Sequence, residues 1–433
     1  MSKVDLNRTH YPVIIIGGGQ AGLSLSYYLK QSQIDHLVIE KRSLVHSWRT
    51  QRWDSFSLVT PNWQCNLPGW PYKGNDPHGF MVKNEINEWL SGFIEHVDAP
   101  ALQGTEVKQV KPIEGLDQFS VQTSAGNFTA HQVVVASGGY HKPIVPRFAE
   151  RFPSDIAQFH SAEYQSPHKL PDGPVLVVGS GQSGSQIAED LHLTGRKVYL
   201  ATGDAPRCAR FYRGKDVVDW LADMNYYDMP VTAHPLREGV RDNTNHYVTG
   251  RDGGRDIDFR KFAKEGMELF GLMTGTDGEE LHFLPNLKSN LDNADAIYNG
   301  INASIDKFID SKGIKAPPAS VYEPVWSPQE ERVKLNFKKA GIKSIVWCIG
   351  FSPDFLWVDA PVFNGKGDPV HLRGVTQVEG LYFLGLPWLH TWGSGRFSGV
   401  DRDAKYIFEK IQNKSISSFK QLNPEPQALL AHQ

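Results

Sequence analysis

Two stretches of the chain carry three glycines at one spacing, each directly after an apolar run. The first reads VIIIGGGQAG and the second reads VLVVGSGQSG. A glycine turn of this form, set between a strand and a helix, lets backbone approach a pyrophosphate, whose charge then lies on the amides at the helix N-terminus. The repeated spacing predicts two dinucleotide sites. Their predicted contacts are Gly17, Gly19, Gln20, Ala21 and Gly22 in the first stretch and Gly179, Gly181, Gln182, Ser183 and Gly184 in the second.

The residue that ends the next strand differs between the two copies. Glu40, followed by Lys41, ends the strand after the first turn, and Thr202 stands at the matching place after the second. A carboxylate there accepts hydrogen bonds from ribose hydroxyls, whereas guanidinium groups suit a 2′-phosphate. Because Arg207 and Arg210 follow Thr202, we predict that the first site takes FAD or NAD and that the second takes NADPH. A solvated basic loop is the alternative for either arginine.

Each glycine turn needs a strand before it, and a helix and a second strand after it. The run HLVIE (36–40) follows the first turn, and KVYLAT (197–202) follows the second. A strand–helix–strand unit therefore occurs twice, which is far more specific than a lone glycine turn. The predicted fold class is α/β, with two nested Rossmann-like dinucleotide-binding domains. We place the FAD-binding domain at 9–164 and 337–433 and the NADPH-binding domain at 165–336, with a substrate-shaping insertion at 216–330.

Three further apolar segments run into glycine. QVVVASGGYHKPIVP (132–146) and SIVWCIGFSPDF (344–355) each end a strand with small residues and then reach proline. Such segments suit crossings between two nucleotide-binding domains, where backbone passes close to a cofactor. GLYFLGL (380–386) leads through more glycines into a helix. The predicted cofactor contacts in these segments are Ala136, Gly138, Gly350 and Gly385.

Two segments are less regular or carry no chemistry. The stretch 47–72 is dense in tryptophan and proline and lacks periodicity, so we predict a loop region that covers a cofactor. The alternative is that the tryptophans of this stretch only pack against the rest of the protein and do not contact a cofactor. The stretch 290–313 spaces apolar residues, from Leu291 through Ile297 to Phe308, as one face of a helix that ends at Gly313. That face is predicted to pack in a core.

Composition restricts the classes of function. Of 433 residues, 40% are hydrophobic and 21% are charged, and the formal net charge of −3 gives no reason to expect nucleic acid or an acidic membrane surface as a partner. Cys65, Cys208 and Cys348 lie far apart in the chain, so we expect no dithiol redox centre, disulfide framework or metal site. The apolar runs are too short for a membrane span, and a cytoplasmic location is the default.

These motifs, in this order, resemble the flavin-dependent monooxygenases that bind FAD and NADPH on two nested domains. The resemblance covers nearly the whole chain and rests on GGGQAG, VVGSGQSGSQIAEDL, VVVASGGYHKPIVP, WCIGFSPDF and GLYFLGLPWLHTWGSG. Microsomal-type and plant auxin-forming enzymes belong to this family, and Baeyer–Villiger monooxygenases are more distant; the chain looks most like a bacterial flavoprotein branch. One family signature is half kept, since His160 and Tyr164 match it but Ser154 and Ile156 replace its Phe and Gly.

The resemblance implies the chemistry and further site residues. In this family NADPH reduces FAD, O2 adds to the flavin C4a atom as a peroxide, and one oxygen atom passes to a small organic substrate in a dry pocket. By the resemblance, Trp48 and Arg49 lie near the FAD pyrophosphate or isoalloxazine, and Asn62 lies beside flavin C4a, with Asp54 as a second candidate of that kind. A turn asparagine after Pro61 is the alternative for Asn62.

Two other functions stay open at this stage. A thiol-free NAD(P)H-dependent flavin reductase or oxidase would share the two-dinucleotide layout. A non-enzymatic redox-sensing flavoprotein would bind the same cofactors without turnover, because a nucleotide site alone does not prove catalysis. The sequence leaves open the substrate, the type of oxygenation and the formation of a homo-oligomer. The expected partners are an organic small molecule and O2.

Overall fold

The structure of the chain is a computed structural model that describes the backbone of residues 7–422 and the side chains of residues 7–414. Residues 423–433 of the predicted first domain therefore lie outside the described residues. The helices are Gln20–Gln31 (α1), His46–Thr50 (α2), Lys83–Val97 (α3), Gln182–Leu193 (α4), Val217–Asp223 (α5), Phe259–Lys264 (α6), Leu287–Lys312 (α7) and Val400–Leu422 (α8). The strands are His10–Ile16 (β1), His36–Ile39 (β2), Asn66–Leu67 (β3), Trp70–Pro71 (β4), Ala101–Leu102 (β5), Val107–Pro112 (β6), Phe119–Thr123 (β7), Gly126–Val135 (β8), Lys142–Pro143 (β9), Ala157–His160 (β10), Val175–Val178 (β11), Val198–Ala201 (β12), Phe211–Tyr212 (β13), Lys215–Asp216 (β14), Glu268–Phe270 (β15), Met273–Asp277 (β16), Glu280–Phe283 (β17), Lys334–Asn336 (β18), Ser344–Trp347 (β19), Phe351–Ser352 (β20) and Leu381–Phe383 (β21).

The first large sheet contains the first glycine turn. Its strand order is β5-β2-β1-β8-β7-β6, and β21 also pairs with β8. β1 runs parallel to both neighbours, with Ile14 opposite Leu37 on β2 and Val133 on β8. Ile14 is fully buried, as expected for a strand covered on both faces. β6 and β7 form an antiparallel extension at one side.

The second large sheet contains the second glycine turn and is parallel throughout, in the order β10-β19-β11-β12-β15. All four residues of β11, the VLVV run, are buried, and α4 packs on β11 and β12. The two sheets with their covering helices confirm the predicted α/β class. Each glycine turn joins a central strand of its sheet to a helix, which is where a Rossmann-like fold places it.

Two strands within the bounds predicted for the first domain belong to the second sheet. We expected the first domain to extend to residue 164 and to resume at residue 337. Instead, β10 and β19 hydrogen-bond into the second sheet, with Phe159 opposite Val346. The sequence assigned these strands to the first domain. An apolar strand sequence does not indicate which of two sheets the strand will join. The division into an FAD-binding and an NADPH-binding domain stays a prediction.

Two backbone crossings join the sheets, and they pair with each other. The first crossing follows β8 and contains β9; the second follows β19 and contains β20. β9 and β20 are antiparallel, with Phe351 opposite Pro143 and Ser352 opposite Lys142. The segments that the sequence indicated as crossings therefore form one short two-stranded ribbon between the sheets.

The region between α5 and β18 combines helices with a small antiparallel sheet of β16, β17 and β18. Its long helix α7 ends at Gly313, whose φ of 63° is a left-handed conformation suited to glycine. The predicted core face is confirmed at Leu291 and Ile305, which are buried, but is wrong at Ile297, which is 38% exposed. α8 packs against α1 beside the first glycine turn.

Candidate functional site

The first glycine turn is shaped by close backbone contacts. A Cβ atom on Gly17 would lie 2.6 Å from the carbonyl oxygen of Ala136, and one on Gly22 would lie 1.9 Å from the carbonyl oxygen of Gly17. Both positions therefore exclude any side chain. A Cβ on Gly19, in contrast, would meet no atom within 4 Å. The first and third glycines allow packing, and the second leaves open space beside the backbone.

The second turn repeats this geometry. A Cβ on Gly179 would lie 2.5 Å from the carbonyl oxygen of Cys348, and one on Gly184 would lie 1.9 Å from that of Gly179. A Cβ on Gly181 would make only an ordinary contact, 3.5 Å from Thr244 Cγ2. The open middle glycine of each turn fits the approach of a pyrophosphate to the backbone.

Both helices that follow the turns begin without a side-chain cap. α1 has Gly19 at its N-cap and α4 has Gly181, and neither residue offers a side chain to the first amides. Uncapped amides at a helix N-terminus suit an anion. Ser183 lies in the first turn of α4, and Gln182 beside it bonds both ends of its amide to the backbone of Val248, 2.7 Å and 3.3 Å away.

Glu40 lies directly against the first turn. Its Oε2 accepts a hydrogen bond from the Gly18 amide and its Oε1 accepts one from the Arg42 amide, both at 2.7 Å. The carboxylate is thereby held at the end of β2, where ribose hydroxyls would approach. Its neighbour Lys41 points elsewhere and pairs with Glu106 at 2.7 Å on the surface.

At the matching place in the second unit, Thr202 is buried and turned into the fold. Its hydroxyl donates to the carbonyl oxygen of Phe270 at 2.8 Å, and Asn290 Nδ2 donates to both oxygens of Thr202 at 3.2 Å. The side chain thus anchors α7 to the sheet. The backbone of the next residue, Gly203, bonds to Ser180 in the glycine turn at 3.0 Å.

The two arginines predicted at a 2′-phosphate are buried and already paired. Arg207 lies 3.1 Å from Asp295 and 3.4 Å from Asp258, with its guanidinium over two tyrosine rings. Arg210 pairs with Asp216 at 2.5 Å and donates to the Val59 carbonyl. Neither arginine lies in a solvated basic loop, which was the alternative, and binding of a 2′-phosphate by these arginines stays a prediction. The aspartates that neutralise these arginines come later in the chain, so the sequence alone did not show that they form ion pairs with the arginines.

Residues from three other segments lie close to the first turn. A Cβ on Gly385 would lie 2.6 Å from the Ala21 Cβ, which brings the end of β21 against the start of α1. Gln20 bridges two segments, since its Nε2 donates to the Gly395 carbonyl at 2.9 Å and its Oε1 accepts from Trp48 Nε1 at 3.1 Å. The predicted contacts Trp48, Gln20 and Ala21 are therefore brought together.

The remaining predicted contacts are spread more widely. Ala136 contacts Gly17 through its carbonyl group, and Gly138, with φ of 78°, lies two residues further along the first crossing. Gly350, with φ of 90°, lies in the second crossing and accepts a hydrogen bond from the His160 ring. Arg49 is exposed and donates to Ser91 at 3.2 Å, away from the turn.

Both predicted catalytic side chains have partners within the chain, and their catalytic role stays a prediction. Asn62 Nδ2 donates to the Asp76 carbonyl at 3.0 Å, and its Oδ1 accepts from the Met81 amide at 2.7 Å, so the buried amide secures the surrounding loop. This is the behaviour of the turn asparagine that was the alternative. Asp54 is exposed and pairs with Lys83 at 3.0 Å.

The covering loop predicted at 47–72 lies partly beside a cavity of about 360 Å³. Trp63, Gln64, Tyr72 and Ser398 are among its lining residues. Gln64 Oε1 and Ser398 Oγ are buried without a hydrogen-bond partner in the part of the chain that the structure describes. Trp63 Nε1 donates to Asp219 on α5 at 2.7 Å, so the loop reaches the second half of the molecule.

A buried carboxylate that the sequence analysis missed joins several segments. Asp190 on α4 accepts hydrogen bonds from Ser55 at 2.7 Å, from Tyr164 at 2.6 Å and from Arg251 at 2.6 Å. Burial first, and then the Asp190 charge, raise the pKa of Tyr164 far above its usual value, so the phenol stays a donor. No sequence signal marked Asp190, because its partners are distant in the chain. His160, by contrast, bonds to backbone.

The three cysteines are free thiols in separate places. Burial raises the pKa of Cys65 and of Cys208 to about 12, and it raises the pKa of Cys348 further. Because the thiolate is the reactive form, the raised pKa disfavours reaction of these thiols near neutral pH. Among residues 7–422, no group of three or more His, Cys, Asp or Glu side chains is arranged to hold a metal ion. None of the helices in that range combines the length and apolar character of a membrane span.

A family profile described as pyridine nucleotide-disulphide oxidoreductase matches residues 14–231, which include both glycine turns. The chain belongs to this family. The prediction that it is an oxidoreductase with a two-dinucleotide flavoprotein fold is thereby confirmed. An uncharacterized CzcO-like oxidoreductase of Geobacillus kaustophilus is 30% identical over 406 residues, covering 93% of this chain and 98% of the relative.

More distant similarities extend across this family. The indole-3-pyruvate monooxygenase YUCCA6 of Arabidopsis thaliana is 28% identical over 200 residues, covering 44% of this chain and 48% of the relative. Among solved structures, a double mutant of the flavin monooxygenase from Stenotrophomonas maltophilia superposes with a TM-score of 0.64 and 18% identity over 94% of this chain and 99% of the other. A bacillithiol disulfide reductase from Bacillus cereus superposes with a TM-score of 0.59 and 14% identity, also over 94% of this chain and 99% of the other. These two structures show the shared fold.

Proposed function

We propose that the protein is an FAD-dependent, NADPH-using monooxygenase that inserts one oxygen atom from O2 into a small organic substrate. The observation that carries the proposal is the state of the thiols in a chain with two dinucleotide turns. Cys65 and Cys348 are buried, Cys208 is partly buried, and burial raises the pKa of each. A family member without a reactive thiol pair has no protein disulfide to pass electrons through, so its acceptor is a small molecule, and we propose that this acceptor is O2.

The residues around the first turn would hold FAD. Gly17, Gly19 and Gly22 shape the turn, and Glu40 stands where the adenosine ribose would lie. Trp48 and Gly385, both beside α1, would flank the rest of the cofactor. When bound, the flavin supplies hydride acceptance and reaction with O2; the protein supplies orientation and a dry surrounding.

The residues around the second turn would hold NADPH. Gly179, Gly181 and Gly184 repeat the geometry of the first turn, and Thr202 replaces the carboxylate at the strand end. The missing negative charge at this position favours a 2′-phosphate over a free 2′-hydroxyl. The preference for NADPH is proposed on Thr202, because the carboxylate partners of Arg207 and Arg210 hold those guanidinium groups inside the fold.

The named relatives support oxygenation as the reaction. YUCCA6 is a monooxygenase by name, and its similarity to this chain covers nearly half of each protein. The Geobacillus relative, which is similar over almost its full length, is named only an oxidoreductase. The proposed class of reaction therefore follows from the monooxygenase relatives. The proposed electron acceptor follows from the lack of a reactive thiol pair in this chain.

A stopped-flow experiment tests the proposal. Purified FAD-loaded protein is reduced with NADPH without oxygen and then mixed with O2, while O2 consumption and H2O2 release are followed separately. A monooxygenase holds the reacted oxygen until substrate arrives, so H2O2 release is expected to lag well behind O2 consumption. Simultaneous, stoichiometric H2O2 release would support the flavin oxidase alternative, and failure to consume O2 would support a reductase.

A further inference from the structure

The two glycine turns carry a glutamine at the same place, directly after the middle glycine. Gln20 begins α1 and Gln182 begins α4. Each side chain bonds a segment from elsewhere in the chain. Gln20 Nε2 donates to the Gly395 carbonyl at 2.9 Å, and the Gln182 amide bonds the backbone of Val248 at 2.7 Å and 3.3 Å. Binding of a pyrophosphate by backbone amides requires neither bond, so the repeated glutamine needs a separate explanation.

The segment that Gln20 bonds is fixed against the first turn. A Cβ on Gly395 would lie 2.5 Å from the carbonyl oxygen of Gly385, and one on Gly385 would lie 2.6 Å from the Ala21 Cβ. Gly395, Gly385 and the start of α1 are therefore in close contact, which fixes the position of this segment relative to the turn. Arg396, the next residue, extends its side chain from this closely packed position.

Residues 226–249, which we call the strap, pack on the segment 388–396 that contains this contact. The Val231 amide donates to the His390 carbonyl at 2.6 Å, and Val231 belongs to one apolar cluster with Trp388. Val231 and Trp388 are both buried, so water does not compete for the contact. The first part of the strap is therefore held to the same segment that contacts the first turn.

The last part of the strap lies against the second turn. Thr244 Cγ2 would be 3.5 Å from a Cβ on Gly181, beside the path of an approaching pyrophosphate. The next residue, Asn245, accepts a hydrogen bond at its Oδ1 from Arg396 Nη2 at 3.1 Å. This bond joins the segment on the first turn to the part of the strap on the second turn. A continuous chain of contacts therefore runs from the start of α1 to the start of α4.

We propose that this chain of contacts sets the separation of the two bound dinucleotides, with Gln20, Gln182 and Asn245 as positioning residues. A hydride with its electron pair passes from NADPH to FAD, giving NADP⁺ and reduced FAD, and this transfer requires the two reacting atoms to approach to about 3–3.5 Å. Each dinucleotide would be bound by its own turn, so contacts that fix one turn relative to the other also fix the reacting rings. This inference rests on the proposed function, since it concerns the reduction of FAD that precedes the reaction with O2.

Stopped-flow reduction of the FAD-loaded protein by NADPH without oxygen tests the inference. Asn245→Ala removes the acceptor for Arg396 and is expected to lower the limiting reduction rate at saturating NADPH about tenfold, because the rate depends steeply on placement. FAD content and the NADP⁺ dissociation constant, measured by calorimetry, are expected to change less than about twofold, since neither turn is altered. Asn245→Asp keeps an acceptor and should restore the rate. Asn243→Ala, at an exposed asparagine of the same strap, is the matched control.

A double variant shows whether the contacts act as one chain. Gln182→Leu releases the strap from α4, and its limiting rate is also expected to fall. Because either change alone already breaks the chain of contacts, Asn245→Ala combined with Gln182→Leu should reduce FAD no more slowly than the slower single variant. Effects that multiply, an unchanged rate in Asn245→Ala, an equal loss in Asn243→Ala, or an equal loss of NADP⁺ affinity would each overturn the inference.

Reduction is followed without oxygen, so its result does not depend on what the protein does with O2. A protein whose reduction rate depends on Asn245 but which releases all its oxygen as H2O2 contradicts only the proposed function. Equal reduction of the parent protein and Asn245→Ala, followed by delayed H2O2 release, contradicts only the inference. A parent protein whose FAD is not reduced by NADPH contradicts both.

Discussion

The carbonyl oxygen of Gly179 occupies the place where a side chain on Gly184 would begin, since a Cβ there would lie 1.9 Å from it. The turn and the first turn of α4 are therefore in direct backbone contact. The same relationship joins Gly17 to Gly22 in the first unit. Such contacts exclude even a methyl group unless the backbone moves.

Gly184→Ala is expected to destabilise the fold, whereas Gly181→Ala is expected to lower nucleotide affinity. The first change forces a backbone shift that costs about 1–3 kcal/mol. The second places a methyl group in ordinary contact with Thr244, on the path of an approaching pyrophosphate. Urea unfolding and NADP⁺ titration separate the two effects. Equal stability of both variants would contradict the packing argument.

Glu40→Gln is expected to weaken FAD retention more than it weakens folding. The amide keeps one acceptor for the Gly18 or Arg42 amide but loses the charge that bonds ribose hydroxyls. The flavin-to-protein absorbance ratio after gel filtration reports the loss. Glu106→Gln, which affects only a surface pair with Lys41, serves as the control. Unchanged flavin content in the Glu40 variant would exclude the ribose role.

Asp190→Asn is expected to cost about 1.5–3 kcal/mol, because a neutral amide weakens the charge-assisted hydrogen bonds from Arg251 and Tyr164, although Arg251 keeps its longer contact with Asp252. Tyr164→Phe removes one hydrogen bond to that carboxylate and is expected to cost about 1.5–3 kcal/mol. Urea unfolding of FAD-saturated protein measures both. Tyr199→Phe, on a partly exposed tyrosine, is the matched control. Losses equal to that of the control would mean that Asp190 does not stabilise the fold.

Arg207→Met is expected to lower stability by about 3 kcal/mol, because it leaves the largely buried Asp258 without its cation, whereas Asp295 keeps its pair with Arg260. The ratio of NADPH to NADH oxidation is expected to change little in the fraction that stays folded. Thermal unfolding and steady-state rates with both nucleotides make the distinction. A stable variant that lost its preference for NADPH would instead restore Arg207 as a phosphate ligand.

Stability is expected to fall as the pH drops from 6.5 towards 4, in part because of His371. Burial, with Arg241 as a second cause, lowers the pKa of His371 from 6.5 to about 4, and its Nδ1 accepts from the Gly374 amide at 3.2 Å. Within this window the unfolded chain binds a proton that the folded chain does not, so protonation favours unfolding. His371→Asn should flatten the slope of unfolding free energy against pH. The same change at exposed His168 should not.

The sequence predicted the local units well because their signals are local. Gly17 and Gly179 adopt positive φ values of 112° and 103°, as a turn defined by glycine requires. The end of α7 at Gly313 follows from the same property. Apolar runs of four or more residues became buried strands because parallel strands are covered on both faces.

The site was harder to predict because charges act in pairs that are distant in the chain. The sequence did not show that Arg207 pairs with Asp295 or that Arg210 pairs with Asp216. It also did not show that the side-chain amide of Asn62 hydrogen-bonds to the backbone of Asp76 and Met81.

The carbonyl groups beneath Gly17 and Gly179 belong to Ala136 and Cys348, the residues with which the two crossings begin. Each nucleotide turn is therefore in contact with the start of a crossing, and the two crossings pair with each other further along, as β9 and β20. A nucleotide that shifted the carbonyl group beneath one turn would therefore act on the other turn through the backbone of the crossings. Affinities at the two turns would then be linked, and the linkage would be reciprocal. Because the path contains no side chain, it would survive most substitutions along the ribbon.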